Sequence, residues 1–201
     1  MSDHDDEHDH DDEHDHTHGH EHGEPGTHEH HHHDVESLGV AVVTVSSSRT
    51  LDDDAAGDSI VATLEEAGHE LATRELVGDD YDTVQSVIHN LVGRDDVDTL
   101  VTTGGTGVTP DDVTVEAAEQ LFVKELPGFG ELFRQRSYEE VGTMVVATRA
   151  TAGIAEWTPV FCLPGSENAA SLGAELVVDT AGHLSGLASR DEEEDQEEDE
   201  E

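Results

Sequence analysis

The central part of the chain alternates between two hydrophobic patterns. Continuous apolar or β-branched runs are typical of strands that are buried on both faces of a sheet. Such runs cover residues 38–45, 71–77, 97–103 and 157–163. Between the runs, apolar residues recur every three or four positions, as Val84, Val87, Ile88 and Leu91 do, which places them on one face of a helix. The chain is therefore predicted to alternate strands with helices.

Capping residues and glycines predict where the helices begin and end. Asp80 is a suitable N-cap and Gly93 a suitable stop for the helix that contains Val84, and Gly68 ends an earlier helix that follows Asp54. Further helices are predicted over residues 113–123, 128–134, 139–151, 169–178 and 181–187. Buried strands that alternate with helices predict an α/β fold, in which helices cover both faces of a mostly parallel sheet. Ligands of such folds bind at the carboxyl ends of the strands.

Both ends of the chain differ from this central part. Residues 1–36 hold 14 acidic residues and 13 of the 16 histidines, and they almost lack apolar side chains. Residues 191–201 hold 10 acidic residues. Segments of this composition cannot bury a core. We therefore predict a disordered His/Asp-rich tail over 1–36, one folded domain over 37–188, and a disordered acidic tail over 189–201.

The charge balance narrows the class of protein. The chain has 50 acidic residues against 8 lysines and arginines, a formal net charge of −42. Such self-repulsion is screened at about 1 M salt, where the Debye length is about 3 Å, so the composition is typical of a protein from a salt-accumulating halophile. Nucleic acid is disfavoured as a partner, because the chain has few cations to replace the counterions of its phosphates.

Three further features limit the location and the chemistry. No apolar run approaches the roughly 18 residues that a membrane span needs, and the first residues have no apolar signal-peptide core, so no membrane role is expected. The expected location is the cytoplasm. Cys162 is the only cysteine, which excludes an intrachain disulfide and a cysteine-based zinc site.

Histidines in the first tail alternate with Asp, Glu, Thr or Gly, most regularly at His14, His16, His18, His20 and His22. Neutral imidazoles at this density bind divalent transition metals such as Ni, Cu or Zn. Two interpretations stay open. The tail is either a solubilising segment with incidental metal affinity, which is the usual role of charged low-complexity runs, or a dedicated metal store.

A glycine-rich turn follows the third predicted strand, at Gly104, Gly105, Thr106 and Gly107. Glycines let main-chain N–H groups converge on a phosphate without a Cβ in the way. Thr109 is predicted to cap the next helix, with Pro110 at its first position and Asp112 as a capping-box acid, so that a helix N-terminus faces the turn. The turn fits neither a Walker A loop nor the dinucleotide fingerprint.

Three segments follow the carboxyl ends of predicted strands: 46–54, 104–112 and 164–168. Each offers main-chain donors and small or hydroxyl residues that suit an anion. Because carboxylates beside a phosphate site would repel the ligand, we expect Mg²⁺ between them, held by Asp54 or Asp112 together with substrate phosphates. Arg49 and Arg149 are candidate phosphate clamps, although Arg149, like Arg134 and Arg136, could instead pair with the acidic surface.

Four motifs occur in a fixed order along the domain. They are TGGTG at 103–107 with DVT at 112–114 and Glu116, LPGFGELFR at 126–134, RATAG at 149–153, and LPGS at 163–166 with Asn168. Together they resemble the MoaB/MogA family of molybdopterin adenylyltransferases, over about residues 40–187. The resemblance implies a three-layer α/β/α fold, a homo-oligomer of three or six subunits, and work alongside other molybdenum cofactor biosynthesis enzymes.

The resemblance also implies a reaction and its residues. AMP passes from Mg-ATP to the terminal phosphate of molybdopterin and pyrophosphate is released, before molybdate or tungstate is inserted. The family's two functional aspartates fall on Asp54 and Asp112, which are thus the catalytic and Mg²⁺-binding candidates. The candidates for substrate and nucleotide binding are Ser46, Ser48, Arg49, Gly104, Gly105, Thr106, Gly107, Glu116, Arg149, Pro164, Gly165, Ser166 and Asn168.

The chain departs from the family pattern at three places. Ala55 and Ala56 stand where hydroxyl or glycine residues are usual, Asp111 stands where an arginine is common, and Glu167 replaces a frequent proline. The first departure removes hydroxyl contacts and the second removes a cation near phosphates. An alternative therefore stays open: a catalytically silent family member that binds pterin or delivers metal through its histidine tail.

Overall fold

The computed structural model describes residues 35–189, so nearly all of both predicted tails, including the histidines from His14 to His22, lies outside the described residues. The strands are β1 (Gly39–Val45), β2 (Glu70–Val77), β3 (Thr99–Thr103), β4 (Phe122–Glu125), β5 (Thr151–Ala155) and β6 (Thr158–Leu163). The α-helices are α1 (Ala55–Glu66), α2 (Tyr81–Val92), α3 (Thr114–Glu119), α4 (Pro127–Val141) and α5 (Glu167–Ala188). Short 3-10 helices cover Leu51–Asp53 and Gly142–Ala147.

The strands form one six-stranded sheet in the order β2-β1-β3-β6-β5-β4. The first four are parallel neighbours, whereas β5 pairs antiparallel with β6 and β4 antiparallel with β5. The parallel strands β1, β3 and β6 lie side by side at the centre, so the segments that follow them meet at one edge of the sheet.

Two hydrophobic cores flank the sheet, as strands buried on both faces require. In β1, Val40 and Val42 face the core under α1, α4 and α5, while Ala41, Val43 and Val45 face the core under α2 and α3. This alternation follows the two-residue period of a strand. The predicted three-layer α/β/α fold with a mostly parallel sheet is confirmed.

Three sequence-based assignments are wrong in the second half of the domain. The predicted helix over 113–123 ends early and its last residues form β4. The helix predicted over 139–151 is instead the end of α4, a 3-10 helix and the start of β5, because Gly142 at φ +58° ends α4. The two helices predicted over 169–187 are one helix, α5.

The antiparallel β5–β6 hairpin escaped prediction because the residues of β5 are small and lack a strand pattern. Its turn contains Glu156 at φ +52°. Gly153 in β5 lies against the ring of Phe122 in β4, where a Cβ would collide with the ring. Between residues 35 and 189, none of the helices combines the length and the apolar character needed to cross a membrane.

Candidate active site

The glycine turn after β3 is fixed by contacts that only glycine allows. Gly104 and Gly105 adopt φ of +98° and +67°. A Cβ at Gly104 would collide with the carbonyl oxygen of Val45, and one at Gly105 would collide with the Oγ1 of Thr114. The main chain of the turn therefore packs directly against the end of β1 and the start of α3.

The predicted cap of the following helix is wrong. Helix α3 begins at Thr114, has only six residues, and its N-cap Val113 makes no side-chain hydrogen bond. Thr109 Oγ1 and N both donate to Asp112 Oδ2, at 2.7 and 2.8 Å, so these residues close a loop before the helix. Thr114 Oγ1 donates to the Gly104 carbonyl at 2.8 Å. The helix-dipole argument for anion binding therefore does not apply here.

Asp112 faces the site as a half-buried carboxylate. Burial by itself would raise the pKa of Asp112, but the hydrogen bonds from Thr109 and from the Gly107 N–H outweigh burial and lower it. The side chain is thus ionised at neutral pH, and its carboxylate is suited to a hard cation.

Arg149 holds the outside of the glycine turn. Its Nε donates to the Gly107 carbonyl at 2.6 Å and its Nη2 to the Asp112 carbonyl at 2.9 Å. Both terminal nitrogens also bond the carboxylate of Glu116, whose pKa is lowered chiefly by Arg149. Since these contacts occupy all three guanidinium nitrogens, Arg149 and Glu116 support the turn instead of facing a ligand.

Asp54 is buried, with no exposed side-chain surface. Its Oδ2 accepts from Thr44 Oγ1 at 2.6 Å and from Arg74 Nη2 at 2.9 Å, while its Oδ1 accepts from the Gly57 N–H at 3.2 Å. Burial alone would raise the pKa of Asp54, but the bonds from Thr44, Arg74 and Gly57 lower it. The residue is an ionised N-cap of α1, and sequence reasoning missed both Thr44 and Arg74 as its partners.

Arg49 crosses the site between two of the strand-end segments. Its Nη2 donates to the Gly165 carbonyl at 2.9 Å, and its Nη1 lies 3.6 Å from Asp54 Oδ1. Ser46 and Ser48 lie on the same segment, with their hydroxyl oxygens 3.4 Å apart. Arg49 thus places a cation at the pocket wall.

The segment after β6 packs directly on the glycine turn. Thr103 Oγ1 donates to the Pro164 carbonyl at 2.9 Å, and a Cβ on Gly165 would lie 3.1 Å from the Gly104 Cα. Ser166 is the N-cap of the long helix α5, and its hydroxyl makes no capping bond. The hydroxyl therefore stays available to a ligand.

These segments surround a pocket of about 600 Å³. Most predicted binding residues line it: Ser46, Ser48, Arg49, Gly104, Gly105, Thr106, Gly107, Asp112, Pro164, Gly165 and Ser166. Asp54, Glu116, Arg149 and Asn168 are not among its lining residues. The lining holds one arginine and one carboxylate within the described part of the chain.

The opposite wall of the pocket is apolar and was missed from the sequence. Its apolar residues come from α4 and the 3-10 helix after it: Phe133, Val141, Met144, Val145 and Ala147, beside the polar Ser137 and Thr148. Met144 is 71% exposed although it is apolar. The sequence does contain a signal for this wall, the apolar residues that closely follow Gly142. The same residues also fit the continuous helix that the sequence predicts over 139–151, so the signal is ambiguous.

The donors present fit Mg²⁺ only in part. Asp112 lines the pocket and could hold the ion together with ligand phosphates. Asp54 does not fit as a ligand, since both of its oxygens accept protein hydrogen bonds and its side chain has no exposed surface. Residues 35–189 contain no group of three or more His, Cys, Asp or Glu side chains that could hold a metal by themselves.

Fold and site together define an α/β domain with a pocket at the carboxyl edge of its sheet, lined by the glycine turn, one arginine and one carboxylate within the described residues. The sequence over residues 41–183 matches the molybdenum cofactor biosynthesis family described as "Probable molybdopterin binding domain". The chain belongs to this family, in agreement with the MoaB/MogA resemblance of its motifs.

Individual relatives agree with this assignment. The chain is 42% identical to molybdenum cofactor biosynthesis protein B of Bacillus subtilis over 145 residues, which are 71% of this chain and 85% of the relative. It is 35% identical over 162 residues to a probable molybdopterin adenylyltransferase of Methanocaldococcus jannaschii, covering 77% and 96% of the two chains. A crystal structure of molybdenum cofactor biosynthesis protein B superposes with a TM-score of 0.74 at 37% identity, covering 78% of this chain and 99% of the other.

Proposed function

We propose that the protein is a molybdopterin adenylyltransferase of molybdenum cofactor biosynthesis. In this reaction AMP passes from Mg-ATP to the terminal phosphate of molybdopterin, pyrophosphate is released, and the product later receives molybdate or tungstate. The observation that carries the proposal is the pocket of about 600 Å³, which combines main-chain donors, one arginine, one carboxylate and an apolar wall. The family and the names of the relatives support it.

The reaction needs no side-chain nucleophile. A terminal phosphate oxygen of molybdopterin attacks the α-phosphorus of ATP and forms a new P–O bond. The bond from that phosphorus to the oxygen bridging to the β-phosphorus breaks, and its electron pair leaves with pyrophosphate. Because a phosphate monoester is already anionic near neutral pH, the protein has to supply position and charge neutralisation.

The pocket residues divide these tasks. The N–H groups of Gly105 and Thr106 and the hydroxyls of Ser46, Ser48 and Ser166 would bind phosphate oxygens, whereas the N–H groups of Gly104 and Gly107 already donate to the Leu163 carbonyl and to Asp112. Arg49 neutralises phosphate charge, while the apolar wall that includes the exposed Met144 suits a flat ring of the nucleotide or the pterin. Asp112 would hold Mg²⁺. When bound, Mg²⁺ neutralises charge on the phosphates and stabilises the charge that develops on the leaving pyrophosphate.

The test is incubation of the purified protein in concentrated KCl with Mg-ATP and molybdopterin, followed by measurement of adenylylated molybdopterin and pyrophosphate. Asp112→Asn should lose most of the activity, by roughly a hundredfold or more if it removes a charge that acts in the transition state. Asp82→Asn makes the same change in net charge at an exposed residue of α2 outside the pocket lining and should keep it. Wild-type protein that yields neither product at any salt concentration refutes the assignment.

One observation favours a second candidate, a catalytically silent family member that binds pterin or delivers metal through its tail. With Asp54 engaged by Thr44 and Arg74, the pocket lining holds a single carboxylate for a metal ion, Asp112. Such a protein would bind molybdopterin without forming pyrophosphate. Deleting residues 1–36 separates the candidates further, since only a metal-delivery role depends on that tail.

Assembly and partners follow from the same family assignment. We expect a trimer or a hexamer in the cytoplasm, acting with other molybdenum cofactor biosynthesis enzymes. Light scattering at high salt measures the assembly, and a monomer at working concentration would contradict this expectation.

A further inference from the structure

A buried carboxylate, Asp54, and the pocket arginine, Arg49, form a connected pair. We infer that Asp54 acts on the reaction as a positioning residue, by orienting Arg49 toward the ligand phosphates, and not as a ligand of Mg²⁺. This inference rests on the proposed function, because it assigns roles within the same pocket.

The first line of argument is the number of contacts that Asp54 already makes. Thr44, Arg74 and Gly57 all donate hydrogen bonds to its two oxygens, at 2.6, 2.9 and 3.2 Å. Its side chain has no exposed surface, and it is absent from the pocket lining. A metal ion would have to displace these donors inside the protein, where the lost bonds have no water to replace them.

The second line of argument is the contact between Asp54 and Arg49. Its Oδ1 accepts only the longest of the three hydrogen bonds, and Arg49 Nη1 lies 3.6 Å from this oxygen. Arg49 Nη2 bonds the Gly165 carbonyl at 2.9 Å, on the far side of the pocket edge. The guanidinium is thus held at two points, while the side chain remains 36% exposed and lines the pocket.

The third line of argument is the local charge. Arg74 is shared between Asp54 and the exposed Asp58, which it contacts at 2.6 Å. Because the single positive charge of Arg74 is shared by two carboxylates, it does not fully neutralise Asp54. Asp54 can therefore attract a second cation, Arg49. Without Asp54, Arg49 would keep only the Gly165 carbonyl, and a long side chain with one neutral anchor samples several rotamers.

The test is a double-mutant cycle on binding of AMP in the absence of Mg²⁺, measured by calorimetry in concentrated KCl. Arg49→Gln should weaken AMP binding by about tenfold, the value of one charged contact. Asp54→Asn should weaken it by a similar factor, and the double variant no more than either single variant, because both remove the same contact. Asp82→Asn, which removes an exposed carboxylate outside the pocket lining, should change affinity less than about twofold.

A second readout separates positioning from metal binding. In the adenylylation assay, Asp54→Asn should lower kcat while the half-saturating Mg²⁺ concentration stays at its wild-type value, whereas Asp112→Asn should raise that concentration. Cooperative unfolding in the same buffer establishes that each variant is folded. If Asp54→Asn is not, Thr44→Val takes its place, since it removes one anchor of the carboxylate and leaves its charge.

Additive losses in the cycle would overturn the inference, as would an Asp54→Asn variant with intact AMP binding and a raised Mg²⁺ requirement. Wild-type protein that fails to bind AMP without Mg²⁺ would overturn it as well. The proposed function fails on a different result, absence of adenylylated product from the wild type, and the binding cycle can still be measured in that case.

Discussion

Replacing Gly104 by alanine should damage the fold and the site together, because the same turn serves both. Gly104 has φ of +98°, where an L-residue costs about 1–3 kcal/mol. Its new Cβ would also collide with the carbonyl oxygen of Val45, in a strand end that is paired with β2. Neither backbone can move freely, so we expect a total loss of about 3 kcal/mol or more in the free energy of unfolding.

Two other glycines provide matched controls. Gly68 has φ of +94°, but a Cβ added there would have no atom within 4 Å, so Gly68→Ala isolates the backbone cost of about 1–2 kcal/mol. Gly128 has neither constraint and lies in the first turn of α4, so Gly128→Ala should be neutral or slightly stabilising. The difference between Gly104→Ala and Gly68→Ala measures the collision with Val45.

Denaturant unfolding at high salt gives these free energies, and thermal unfolding should show a drop of about 6–12 °C for Gly104→Ala in a domain of this size. Calorimetry on folded Gly104→Ala protein should show that the variant has also lost AMP binding. A Gly104→Ala protein within about 1 kcal/mol of Gly68→Ala would refute the reasoning, since the collision would then have no measurable cost.

Three further predictions concern charge. Arg149→Gln should lower the free energy of unfolding by about 1–3 kcal/mol and should lower kcat more than it changes KM. Glu116→Gln should lower the free energy of unfolding by less than about 1 kcal/mol, because Arg149 keeps its bonds to the turn carbonyls. Equal losses of the two variants in unfolding experiments would contradict this. KM for Mg-ATP should fall severalfold as KCl rises from about 0.15 to 1 M, since screening reduces repulsion between the anionic substrate and the acidic protein. The affinity for adenosine, which is uncharged, is the control. A KM that rises with KCl would contradict the prediction. Burial lowers the pKa of His69, whose Nε2 has no partner among the described residues and whose Nδ1 accepts from the Leu38 N–H. The unfolded chain therefore binds a proton that the folded one excludes, so stability should fall as pH drops below about 6.5 and level off once pH is below the folded pKa. His69→Gln should flatten this part of the pH–stability curve, and an unchanged slope would rule the group out.

The sequence alone determined the layers of the fold and predicted where the candidate site lies. Strands such as β1 are continuous β-branched runs, and helices such as α2 have a capping aspartate, an apolar stripe and a glycine stop. These are local signals, and short-range physics decides them. Parallel strands then bring their carboxyl ends to one edge, so residues from three distant segments could be expected to meet.

Only the tertiary structure decided which of the candidate residues line the pocket and which are buried or bound elsewhere. Asp54 and Asp112 look alike in the sequence, yet one is buried among Thr44 and Arg74 and the other faces the pocket. Arg49 lines the pocket, whereas Arg149 is bound to carbonyls of the glycine turn and of Asp112. Asp112 is held by its near neighbour Thr109, whereas Asp54 is held by Arg74 and Arg49 by Gly165, at sequence separations that no local pattern encodes.

Tertiary contacts also decided the apolar wall of the pocket and the β5 edge region of the sheet. The residues of β5 are small and resemble a helix in isolation, but pairing with β6 and contact of Gly153 with Phe122 make them a strand. Helix α4 ends at Gly142, and the 3-10 helix that follows contributes Met144, Val145 and Ala147 to the pocket. Tertiary packing outweighs weak local propensity at such positions, which is why the sequence located the side of the pocket formed by the strand-end segments and missed its apolar side.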